Sequence, residues 1–148
     1  NDPTYTEIIE ASRVAKRATV ADGIVAAARE IAETTDIKAI CCFTSSGTTA
    51  LLTARERPRV PIIAMTNDVG TARRLALTWG TECVITGELE RFKQAVVNAA
   101  RAARAGDYAD EHDQILVTAG VPFNTPGTTN ILRVAPCDER LIYNTDPE

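Results

Sequence analysis

Lys38-Ala39-Ile40-Cys41-Cys42-Phe43-Thr44-Ser45-Ser46-Gly47-Thr48-Thr49-Ala50 holds the pattern that decides the fold. Its first half is a short apolar run of β-formers, long enough for a strand and too short for a helix. Its second half is a turn built almost wholly of small hydroxyl residues, and Thr48 opens a helical stretch that stops before Pro58. A strand feeding a polar turn that opens a helix is the first half of a βαβ unit. In a strand, Cys41 and Cys42 point to opposite faces. Two adjacent apolar side chains therefore require a sheet covered on both faces.

The same cycle recurs on either side. Upstream, Thr19 or Asp22 caps a helix whose Ile24, Val25, Ala28, Ile31 and Ala32 share one face. Tyr5, Ile8, Ile9 and Ser12 suggest a short first helix, and residues 13–19 read as a linker. Downstream, 60–65 is a strand, Thr66-Asn67-Asp68 a turn, and Val69, Ala72, Leu75, Ala76 and Trp79 a helical stripe stopped by Gly80. Residues 82–86 form a strand. Leu89, Phe92, Val96, Ala99 and Ala103 mark a longer helix stopped by Gly106. Strands follow at 115–119 and 131–135, and residues 140–143 read as one more. Alternating strands and helices imply parallel strands with crossover helices. The last strands, joined without a helix, imply an antiparallel edge pair. The expected fold is a three-layer α/β/α domain, with a mostly parallel sheet of about five strands and an antiparallel edge strand.

Bulk properties exclude several function classes. The chain has 148 residues, 45% hydrophobic and 24% charged, with a net charge of −4. Its 16 basic residues are scattered, so neither a nucleic-acid footprint nor a basic membrane face is formed. No apolar run approaches the ~20 residues of a membrane helix, and Asn1 to Tyr5 lacks the pattern of a secretion signal. The expectation is a cytoplasmic chain with no nucleic-acid or membrane partner. Four cysteines, at 41, 42, 83 and 137, form no C-x-x-C pair, and His112 is the only histidine. The thiols read as reduced, mostly buried small hydrophobes, and no metal site is assigned.

Two loops can bind a ligand. Thr44, Ser45, Ser46, Gly47, Thr48 and Thr49 combine unpaired amides at a helix start, the positive end of a helix dipole, a glycine and hydroxyl donors. Such a site takes phosphate. The same residues also make an ordinary helix cap, and this segment alone leaves both readings open. It is neither a Walker loop nor a dinucleotide fingerprint. The second loop spans residues 120–130, Gly-Val-Pro-Phe-Asn-Thr-Pro-Gly-Thr-Thr-Asn. If the 115–119 strand runs parallel to the 38–43 strand, both loops lie at the carboxyl edge of the sheet, where ligands gather. The alternative is a plain connection shaped by its prolines and glycines. Arg91 and Lys93 are candidates for a second phosphate contact, or else solvated helix charges. Asp107, Asp110, Glu111 and Asp113 read more readily as a solvated loop than as a cation site. No catalytic residue is assigned. There is no Cys/His pair and no nucleophile elbow.

Several stretches together resemble the C-terminal domain of pyruvate kinases. They are Lys38-Ala39-Ile40 with Thr44 to Ala50, Arg57-Pro58-Arg59-Val60-Pro61-Ile62-Ile63-Ala64, Thr71 to Leu77 with Trp79-Gly80, Val117-Thr118-Ala119-Gly120, and Gly127-Thr128-Thr129-Asn130. The resemblance runs from about Tyr5 to Val134. It implies that residues 1–20 are a helix and linker from the side of a catalytic barrel, and that 21–148 form the C-terminal α/β domain. It implies a parent enzyme that transfers phosphate from phosphoenolpyruvate to ADP, with magnesium or manganese and potassium held in a barrel that this chain lacks. The chain itself would be non-catalytic and cofactor-free, serving effector binding and oligomerisation through its C-terminal strands. The effector phosphate would fall on Thr44, Ser45, Ser46, Gly47, Thr48 and Thr49, with Asn124, Thr125, Pro126, Gly127 and Thr128 closing over it.

The sequence departs from that pattern in places. Ser45 stands where some fructose-bisphosphate-regulated members carry lysine. The late loop lacks the tryptophan–arginine pair of animal members, Asn124 replaces an expected glycine, and acidic residues 107–113 replace a lysine-bearing stretch. These changes favour a sugar monophosphate such as ribose 5-phosphate or glucose 6-phosphate, or a nucleotide such as AMP. The competing expectation is a stand-alone interaction or assembly module with a relic phosphate loop.

Overall fold

A computed structural model describes residues 19–78, 80–123 and 129–147. The expected first helix and linker, Trp79, and the stretch Asn124–Thr128 lie outside the described residues. Helix α1 spans Val20–Thr34 and begins with a reciprocal capping box. The Asp22 amide donates to Thr19 Oγ1 (3.1 Å), and the Thr19 amide donates to Asp22 Oδ2 (2.9 Å). Thr19 is thus the cap and Asp22 its partner. Strand β1 spans Ile40–Phe43, helix α2 Thr48–Arg55, strand β2 Ile62–Thr66, helix α3 Val69–Leu75 and strand β3 Thr81–Ile85. Helix α4 (Phe92–Ala105), strands β4 (Gln114–Ala119) and β5 (Ile131–Pro136), and helix α5 (Glu139–Thr145) follow.

The sheet order is β3-β2-β1-β4-β5. The first four strands are parallel and β5 runs antiparallel to β4. All four residues of β1 are buried, and they divide between the faces as alternation requires. Cys41 and Phe43 join Val96, Ala99 and Ala103 of α4 in one core. Ile40 and Cys42 join Ala28 and Ala32 of α1, Ala50 of α2 and Leu75 of α3 in the other. The three layers are therefore α1–α3, the sheet, and α4–α5. Strand β3 is only half-buried because it lies at the sheet edge.

Arg59, in the proline-flanked stretch before β2, has a structural task. Its Nε donates to Ala32 O and its Nη2 to Thr35 O, both at 2.8 Å. It closes the end of α1, which stops without a glycine.

Two expectations are corrected. Residues 140–143 are not a strand but part of α5. Asp138 caps that helix, accepting from the Arg140 amide at 3.0 Å. Docking against α4 then selects the helix. Ile142 is fully buried in the α4-side core. Arg101 and Arg104 donate to the Glu139 carboxylate (2.8 and 3.3 Å), and Asp146, just past the helix, pairs with Arg133 of β5. The helical stripe from Val69 also differs. Its buried residues are Thr71 and Leu75, while Val69 and Ala76 are exposed. This short helix packs against the β1–α2 turn with a polar residue at its centre, which an apolar pattern does not register.

Candidate ligand cleft at the carboxyl edge of the sheet

All four parallel strands end on the same edge, and β1 and β4 are neighbours although separated in sequence. At that edge β1 runs on into α2, while β4, which α4 feeds at its amino end from the opposite face, runs into the loop that returns as β5. That divergence opens a crevice. The cleft there has a volume of about 70 Å³. Thr44, Ser45, Ser46, Thr48 and Thr49 form one wall, and Gly120, Phe123 and Thr129 come from the β4–β5 side. Met65, Thr66 and Asn67 after β2, and Thr86, Gly87 and Leu89 after β3, extend it. None of these lining residues is charged. A ligand here meets hydroxyls, amides and some apolar surface.

The β1–α2 turn is tightly organised. The Gly47 amide donates to Thr44 Oγ1 (2.8 Å), and Ser46 Oγ lies 3.1 Å from Thr48 Oγ1. Leu51 donates its amide to Gly47 O, the first rung of the α2 ladder, so the amides of Thr48 to Ala50 precede that ladder. The Thr48 amide reaches only as far as Ser46 Oγ (3.4 Å). Thr49 Oγ1 and Thr129 Oγ1 are 2.5 Å apart and both side chains are buried, which joins the start of α2 to the start of β5. Asn130 closes the stem of the late loop, accepting from the Val121 amide (3.0 Å) and donating to Val121 O (2.8 Å).

The six residues 44–49 are together, but Gly47 does not line the cleft. It caps α2 in the left-handed region (φ 90°), and a Cβ there would lie 3.3 Å from Thr71 Cγ2 and 3.4 Å from Leu75 Cδ2. The glycine lets α3 approach the turn from behind. Asn124 to Thr128 lie outside the described residues, although flanking Phe123 and Thr129 line the cleft. Arg91 and Lys93 do not line it. Lys93 Nζ donates to Tyr143 O (2.9 Å) and sits over the Tyr143 ring, serving the α4–α5 junction. In the acidic segment, Asp110 and Asp113 accept amide protons within their own turn.

Sequence reasoning missed Thr66, Asn67, Thr86 and Gly87, and named Thr129 only as part of the second loop. The carboxyl-edge rule, applied to every parallel strand instead of two, contains the signal for the first four. The thiols are held above the usual cysteine value by burial. Burial pushes Cys41 and Cys42 up, and burial together with the Asp113 charge pushes Cys137 to about 11. Among the described residues, no helix is long and apolar enough to cross a membrane.

Fold and cleft together define a doubly wound α/β domain that presents a hydroxyl-lined crevice at its topological switch point. The family profile "Pyruvate kinase, alpha/beta domain" matches residues 22–135, and the chain belongs to that family. It is 37% identical over 134 residues to a pyruvate kinase of Methylorubrum extorquens, covering 90% of this chain and 28% of the relative. It is 38% identical over 130 residues to one from Agrobacterium vitis, covering 88% and 27%. The structure of a Cryptosporidium parvum pyruvate kinase in complex with ADP aligns with a TM-score of 0.74 at 27% identity, over 82% of this chain and 24% of that one. The chain thus spans little more than a quarter of the curated relatives just described.

Proposed function

We propose that this chain is the C-terminal regulatory domain of a longer pyruvate kinase, and that it binds a phosphorylated effector carrying a single phosphate at residues 44–49. In this reading, transfer of phosphate from phosphoenolpyruvate to ADP, with its magnesium or manganese and potassium, belongs to a barrel outside these 148 residues. The observation that carries the effector reading is the placement of the α2 amides and the 44–49 hydroxyls at the switch-point cleft. Among the described residues, the cleft lining carries no charged side chain to balance a second phosphate. That favours ribose 5-phosphate, glucose 6-phosphate or AMP over fructose 1,6-bisphosphate.

Isothermal titration tests the reading. Inorganic phosphate is expected to bind with a Kd on the order of millimolar, and a sugar monophosphate more tightly. Ser46→Ala is expected to weaken binding about tenfold, or roughly 1.4 kcal/mol. If none of these ligands binds below ~10 mM, the turn is only a helix cap and the domain an assembly module.

The proposal includes self-association through β5. This strand ends the sheet, and its Leu132 and Val134 are half-buried. An open edge seeks a partner strand, and a two-fold axis lets two identical edges pair. Sedimentation equilibrium at high protein concentration is expected to show a dimer. A strict monomer there removes this part of the proposal.

A further inference from the structure

Behind the 44–49 turn, on its α3 side, lies a chain of polar side chains that reaches the turn only through backbone carbonyls. Asp68 Oδ2 accepts from the Thr71 amide (2.9 Å) and lies 2.8 Å from Thr71 Oγ1. Thr71 Oγ1 also lies 2.7 Å from Ser45 O, so its single proton serves one of these two oxygens. Arg74 Nη2 donates to Thr71 Oγ1 (3.1 Å) and to Ser46 O (3.2 Å). The Asp68 amide in turn donates to Thr66 Oγ1 (3.1 Å), at the end of β2. Thr71 is almost fully buried, so the chain has a fixed centre.

Two consecutive carbonyls, those of Ser45 and Ser46, are therefore held on the α3 side. In a trans peptide the carbonyl and the following amide point in opposite directions. Holding these two oxygens on α3 turns the Ser46 and Gly47 amides away from it. The Gly47 amide is taken by Thr44 Oγ1, and the Ser46 amide is left directed to the cleft side. A peptide flip at either position would present a carbonyl oxygen to the anion instead. The guanidinium opposes the flip with a charge-assisted bond.

The geometry points to Arg74, acting with Thr71 and Asp68, as the positioning residue of the anion turn. It fixes the direction of the turn's peptides and does not touch the ligand. This inference rests on the anion-site reading above and deepens it. Arg74 is exposed, and an apolar isostere leaves its stem in place.

The test compares the 148-residue chain with Arg74→Met, Arg74→Lys and Thr71→Val. Three quantities are read: thermal stability, amide exchange of Ser46 and Gly47 without ligand, and the Kd for inorganic phosphate. The Kd is taken at low salt and at about 0.5 M KCl, where screening shortens to a few ångströms. Arg74→Met is expected to weaken phosphate binding about tenfold at both salts and to speed Gly47 exchange. Its midpoint should fall by no more than about 3 °C. Arg74→Lys should recover only part of the loss, because a single ammonium replaces a planar fork. Thr71→Val should mimic Arg74→Met, and the double variant should lose little more than either single one. A loss that disappears at high salt means that Arg74 acts as a charge on the ligand, which overturns the inference. Unchanged exchange and unchanged Kd overturn it as well. If the unaltered chain binds no phosphate, the anion-site reading fails; unchanged exchange would then remove the positioning role too.

Discussion

Gly47→Val is expected to destabilise the domain by about 2–4 kcal/mol and to abolish anion binding. Two costs act together. At φ 90° a Cβ clashes with its own carbonyl, a penalty of about 1–2 kcal/mol even before β-branching is considered. The added carbon would also press on Thr71 and Leu75, both 1% exposed and unable to move into solvent. Overpacking of that kind costs about 1–3 kcal/mol. The effect travels through α3, so the turn loses its shape although no bulk enters the cleft. Urea denaturation measures the loss. In a thermal scan the midpoint should fall by about 5–15 °C for a chain of this size. Gly47→Ala should lie between valine and the parent. A valine variant within about 0.5 kcal/mol of the parent would mean that the residue is not held in the left-handed region.

Ile142→Ala is expected to cost about 3 kcal/mol, within the usual range for a buried Ile-to-Ala truncation. Ile142 is fully buried and is the only buried residue of α5. A helix of seven residues has no stability of its own in water. Its other attachments include the Glu139 pairs to Arg101 and Arg104, the Arg133–Asp146 pair and the Lys93 contacts to Tyr143. The Glu139 partners are largely exposed and contribute little. Leu141→Ala, at a half-exposed neighbour, should change stability by less than about 0.5 kcal/mol. Equal effects of the two substitutions would show that the tail does not dock as described. The family profile ends at residue 135, yet this helix completes the core beside Ala135 and Cys137.

Much of the architecture was legible in the chain alone. The 40–43 run and the strand segments 62–66 and 114–119 lack alternation, and only a sheet covered on both faces accommodates that. Gly106 caps α4 where it was expected, whereas α3 closes on Ala76, four residues before Gly80. Residues 44–49 and the described ends of the late loop, Gly120, Phe123 and Thr129, fall at the carboxyl edge. These readings succeed because period, caps and breakers are local properties of backbone and side chain.

The parts that failed depend on what lies across space. Residues 140–143 carry a short apolar pattern that suits either a strand or a helix. Only the α4 surface, with a seat for Ile142, decides between them. Lys93 donates to the Tyr143 carbonyl, 50 residues away, a partner that no local pattern names. Thr49 meets Thr129 across 80 residues, and Ser45 meets Thr71 across 26. The chain by itself determined a doubly wound α/β domain with a hydroxyl turn opening a helix, because each element needs only its own residues and water to declare its period. Tertiary structure alone decided which way Gly47 faces, what holds the turn and which loops share the cleft. Parallel strands bring together loops far apart in sequence, and no local pattern records that adjacency.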